Sequence, residues 1–102
     1  MIIVLTSVAT AGEGEELARR IVESKLAACV QILPKITSVY FWEGKVESGP
    51  ENLLLIKTLE EKFRALSEFI KTNHSYDVPE IVAIRAEHVS DIYLKWMADC
   101  LI

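Results

Sequence analysis

The chain has 102 residues, half of them hydrophobic and a quarter charged, with 15 acidic against 11 basic residues and a formal net charge of −4. That length suits one domain, residues 1–102, with a real core and no need of disulfides or a structural metal. The basic residues are scattered, which excludes the electrostatic footprint of a nucleic-acid binder, and no apolar run is long enough to cross a membrane.

Ile2-Ile3-Val4-Leu5 is apolar at consecutive positions and reads as a strand buried on both faces. It lacks a basic leader, so it is expected to be a strand rather than a signal peptide. Cys29 and Cys100 show no zinc-type spacing and suit a reducing compartment, so a cytoplasmic protein is expected. Thr10-Ala11-Gly12-Glu13 fits a capping box, opening a helix with Leu17, Ala18, Ile21 and Val22 on its apolar stripe.

Continuous apolar residues then run from Leu26 to Leu33, break at Pro34 and resume from Ile36 to Trp42, a long interrupted strand. Gly44 allows a bulge or tight turn, but Ser48-Gly49-Pro50-Glu51 is the stronger turn signal, and the hairpin loop is expected there. Leu53 to Ile56 is the return strand. Thr58-Leu59-Glu60-Glu61 reads as a second capping box, opening a helix with Leu59, Phe63, Leu66 and Ile70 on one face that ends near Asn73. Ile81 to Ile84 is a further strand, and Ser90 caps a last helix carrying Tyr93, Trp96, Met97, Cys100 and Leu101 on its apolar side.

The order β-α-β-β-α-β-α is the split arrangement of a ferredoxin-like α+β fold, with an antiparallel sheet, a long hairpin between the second and third strands and a C-terminal helix. Right-handed crossovers put both principal helices on one sheet face. The apolar residues of the other face then need a cover that the last helix supplies only in part, which predicts a homo-oligomer.

The densest coordinating chemistry is His74-Ser75-Tyr76-Asp77-Val78-Pro79-Glu80. If this segment were extended, roughly 20 Å would separate His74 from Glu80 at about 3.3 Å per residue, too far for ligands of one metal. A bend, or groups from elsewhere, must therefore complete any site. His74 is a candidate ligand or proton carrier, and equally a cap on the preceding helix. Cys29 is a candidate soft-metal ligand, though its neighbours Ala27, Ala28 and Val30 favour a packing role. Lys57, after four apolar residues, suits an anion or a snorkelling position. Tyr40, Phe41 and Trp42 line a cleft or an interface, or pack across the sheet. No triad, metalloprotease helix, P-loop or dinucleotide fingerprint is present, so an enzyme is not expected.

Leu26-Ala27-Ala28-Cys29, Trp42-Glu43-Gly44, Ile56-Lys57-Thr58, Val78-Pro79-Glu80-Ile81 and Tyr93-Leu94 followed by Trp96 occur in an order and spacing that resemble the CutA divalent-cation-tolerance family over essentially the whole chain. The resemblance implies a PII-like homotrimer concerned with divalent cations, copper among them, whose shared residues line clefts between subunits. Carried over by position, these are Cys29, His74 and Glu80 toward a divalent metal ion, and Trp42, Lys57 and Tyr76 toward a small ligand. Thiolate and imidazole favour copper over magnesium. The alternative is a PII-like sensor that binds an anionic metabolite through Lys57 and His74 and signals to a protein partner. Ser75 stands where the family generally has proline, which removes a backbone constraint beside His74.

Overall fold

The computed structural model describes all residues, Met1–Ile102. In chain order its elements are β1 (Ile2–Val8), α1 (Ala11–Glu23), β2 (Cys29–Trp42), β3 (Lys45–Thr58), a 3-10 turn (Glu60–Lys62), α2 (Phe63–Asn73), β4 (Val82–Arg85) and α3 (Asp91–Cys100). The four strands form one sheet in the order β2-β3-β1-β4, antiparallel at every pairing. This is the expected ferredoxin-like arrangement with an added C-terminal helix.

Alternation along the strands sorts the sheet into two faces. Ile2, Val4 and Val8 of β1 and Leu54 and Ile56 of β3 are buried with Leu17, Ala18 and Ile21 of α1 and Leu66 and Ile70 of α2 in one core. Their neighbours in sequence, Ile3, Leu5, Leu53 and Leu55, are only half-buried on the opposite face. Val82 and Ile84 of β4, paired with Leu5 and Ile3, extend that second face and are about half exposed (49% and 51%). α3 meets it at one end, where the Lys57 ammonium lies 5.4 Å from the centre of the Tyr93 ring.

Local signals explain the element ends, with two corrections. Thr10 caps α1 as expected, its hydroxyl accepting from the Glu13 N–H at 3.1 Å, while the Glu13 carboxylate accepts from the Ala9 N–H at 3.3 Å. Ser90 likewise accepts from the Tyr93 N–H at 3.3 Å and caps α3. Thr58, by contrast, caps nothing. It falls on the buried side of β3, and its hydroxyl donates to the Leu26 carbonyl at 2.7 Å, so the chain enters α2 through the 3-10 turn instead.

The second correction concerns the hairpin. The loop is not at Ser48–Glu51 but at Glu43-Gly44, both with positive φ (51° and 79°), between the paired residues Trp42 and Lys45. Two left-handed residues give the twist that a two-residue hairpin requires. Ser48, Gly49, Pro50 and Glu51 are instead part of β3, opposite Val39, Ser38, Thr37 and Ile36. β1 pairs with β3 only as far as Asn52, so Pro50 lies where one side of β3 is an open edge, a position that tolerates a residue without an N–H. The break at Pro34 is a bulge. Pro34 and Lys35 (φ 54°) stand against the single residue Asn52, between the rungs Leu33–Leu53 and Ile36–Glu51. Beyond the bulge β2 and β3 continue as a two-stranded arm, and the molecule measures 44 × 25 × 22 Å.

Candidate functional site

The root of this arm, the end of β1 and the segment after α2 enclose a cleft of ≈ 700 Å³. Ser7, Ser38 and Glu51 lie at its floor, Tyr40, Phe41 and Trp42 form one wall, and the segment from Tyr76 to Glu80 forms the other. The segment bends rather than running extended.

His74 produces the bend. It ends α2 with extended backbone (φ −90°, ψ 146°), and its ring turns back onto the fold. Nδ1 lies 3.0 Å from the Tyr76 N–H, which can only donate, and Nε2 lies 2.8 Å from the Ser7 carbonyl, which can only accept. These two partners select the neutral imidazole protonated on Nε2 and use both of its nitrogens. The His74 and Tyr76 rings also pack at 4.7 Å between centres. His74 thus ties the segment to β1 and sets the direction of Tyr76.

Tyr76 reaches the floor, where its hydroxyl donates to Glu51 Oε2 at 2.7 Å. Burial pushes the Glu51 carboxyl up, but hydrogen bonds from the neighbouring Ser38, Tyr76 and Ser7 hydroxyls outweigh it and hold the group below the usual carboxylate range. Tyr76 moves the other way. Burial, the hydrogen bond to Glu51 and the negative charges of Glu51 and Glu13 keep its phenol protonated well above the ordinary tyrosine range. The pair is therefore a carboxylate and a neutral phenol throughout the physiological range. Glu51, Asp77 and Glu80 form no ion pair, and no lysine, arginine or histidine lines the cleft.

Of the residues expected to form a site, Trp42, Tyr76 and Glu80 line this cleft. Cys29 and Lys57 do not. They pair with each other across β2 and β3, four positions along β3 from the rung that joins Leu53 to Ser7, or roughly 13 Å at about 3.3 Å per residue. Cys29, His74 and Glu80 are accordingly not gathered into one metal site within the chain, and no group of three or more histidine, cysteine, aspartate or glutamate side chains is placed to hold a metal ion. Sequence reasoning missed Glu51, having assigned it to a turn. Its signal was parity, because Glu51, Leu53, Leu55 and Lys57 alternate onto the same face of β3 as the cleft.

Comparison with known proteins agrees with this architecture. Residues 2–100 match the family described as CutA1 divalent ion tolerance protein. The chain is 49% identical over 96 residues to the protein named CutA, chloroplastic, of Arabidopsis thaliana, covering 94% of this chain and 53% of that one. It is 41% identical to the divalent-cation tolerance protein CutA of Thermus thermophilus, covering 95% and 94%. The chain thus spans about half the length of the plant relatives it matches and nearly all of the Thermus one. Among solved structures, CutA1 from Oryza sativa superposes with a TM-score of 0.94 at 46% identity, over 97% of this chain and 91% of that one. The structure described as periplasmic divalent cation tolerance protein CutA from Archaeoglobus fulgidus superposes with 0.96 at 37% identity, over the whole of both chains.

Proposed function

Because the chain belongs to the CutA1 divalent ion tolerance family, we propose that it acts in cation tolerance as a homotrimeric, non-enzymatic binding protein of the cytoplasm, taking up a cation in the Glu51 cleft. One observation carries the choice of ligand charge. Glu51 is held ionised on the floor, Asp77 and Glu80 stand on the wall, and no cationic side chain lines the cleft to answer them. Metal uptake there would be through oxygen donors, which suit hard divalent ions. Copper would draw on Cys29 or His74, and their placement in one chain lends that preference no support, since His74 spends both nitrogens on the backbone.

The trimer is supported by the half-covered second face of the sheet and by the arm, where Val39, Phe41 and Val46 are 66–77% exposed. Two free cysteines support a reducing compartment, although the relatives include proteins named as chloroplastic and as periplasmic. The alternative of a sensor for an anionic metabolite has less behind it, because Lys57 lies against Tyr93 away from the cleft.

A ligand panel tests the sign of the charge. In a Trp96→Phe background, where Trp42 is the remaining indole, divalent and organic cations are expected to change the fluorescence saturably while carboxylates and phosphates do not. Glu51→Gln is expected to weaken the response roughly tenfold, about 1.4 kcal/mol. Saturable binding of anions in place of cations would overturn the reading.

A further inference from the structure

The two walls of the Glu51 cleft differ in chemistry. Tyr40 and Trp42 are about half exposed (49% and 50%) on one side, while the other side presents Asp77 and Glu80. A bare metal ion needs several donor atoms converging at about 2.0–2.6 Å, and no three candidate ligands in the chain come together in that way. An organic ammonium ion has no such requirement. One carboxylate suffices for its charge, and its carbon surface gains from an aromatic face that offers a hydrated metal ion little. The volume of ≈ 700 Å³ also falls within the range of about 300–1,000 Å³ usual for small-molecule pockets.

We infer that the cleft is a binding site for a small organic cation, an alkyl- or arylammonium ion, seated with its charge against Glu51 and its carbon body against Trp42 and Tyr40. The assignment rests on the reading of the cleft as a cation site and narrows it to one chemical class. Tyr76 serves as a positioning residue. Its hydroxyl, fixed on Glu51 Oε2, orients the carboxylate, and His74 fixes the backbone from which Tyr76 projects.

The test uses the 102-residue chain carrying Trp96→Phe, followed by calorimetry and by Trp42 fluorescence. Benzyltrimethylammonium is the probe, benzyl alcohol its neutral counterpart and manganese(II) the metal arm. Saturable binding of the ammonium ion is expected, weakened roughly tenfold by Glu51→Gln. Trp42→Leu, scored by calorimetry on protein whose sedimentation mass matches the parent's, is expected to weaken it roughly threefold. Benzyl alcohol binding as tightly as the ammonium ion, or an affinity indifferent to both substitutions, would overturn the inference. Manganese binding that depends on Glu51, without ammonium binding, would overturn it too while leaving the cation reading intact. Absence of both kinds of binding would overturn the two together.

Discussion

Glu51 and Tyr76 bind each other in one protonation state, carboxylate with phenol, and their opposite displacements give the fold two pH limits. Glu51 is held below its ordinary range, so its contribution is present above the unfolded value of about 4.3 and is lost as pH falls through the lower folded value. Tyr76 is raised, so its contribution is present below the unfolded value of about 10 and is lost as pH rises beyond it. Tyr76→Phe keeps the ring against His74 and removes only the hydroxyl. At neutral pH it is expected to cost about 1.5–3 kcal/mol, the usual contribution of a hydrogen bond to a charged group. Urea denaturation between pH 7 and 11 checks both parts. The variant should start less stable and lose less as pH rises past 10, and a parallel alkaline decline in the two proteins would refute the assignment.

Glu43 and Gly44 form the turn that joins β2 to β3, and the backbone there tells a turn by composition from a turn by conformation. Gly44 has φ 79°, whereas Gly49 lies in paired strand with open space where a Cβ would stand. Gly44→Val is therefore expected to cost about 1–2 kcal/mol, and Gly49→Ala to stay within about 0.5 kcal/mol of the parent, both read from thermal or denaturant unfolding. Equal effects would contradict the placement of the loop. The same pair shows what was legible beforehand. Element types and order could be read because Leu17, Ala18 and Ile21 repeat at helical spacing and Ile2 to Leu5 does not. The loop could not, because Ser48-Gly49-Pro50 has turn composition yet lies beyond the reach of β1, where a strand edge accepts proline. Thr58 was misread for a related reason, since only the fold reveals that it faces inward and gives its hydroxyl to Leu26. Within the site, Tyr76 and Glu80 were evident from the density of polar groups around Pro79. The partnership with Glu51 was not, because it spans 25 positions of chain and depends on the register of the hairpin.

On the scale of the whole molecule, one face of the sheet is filled by α1 and α2 and the other is not. Ile3, Leu5, Leu53 and Leu55 are half-buried, and Phe41 on the arm is 77% exposed. Apolar surface of this extent is stabilised by association. Sedimentation equilibrium is expected to give three times the 11.5 kDa of the chain, and Phe41→Glu to lower that mass; a monomeric parent at micromolar concentration would refute the trimer. The arm has a further mechanical property. Glu51 is the first residue of β3 outside the reach of β1, and it faces Ile36, the first residue of β2 past the bulge. It thus sits at the fulcrum between a rigid sheet and a lever extending roughly 20 Å to Lys45. A rotation of about 5° at that fulcrum displaces the tip by roughly 2 Å over the same length. In the proposed trimer, a cation taken up at Glu51 would act at the base of that lever, far from the tip that reaches outward.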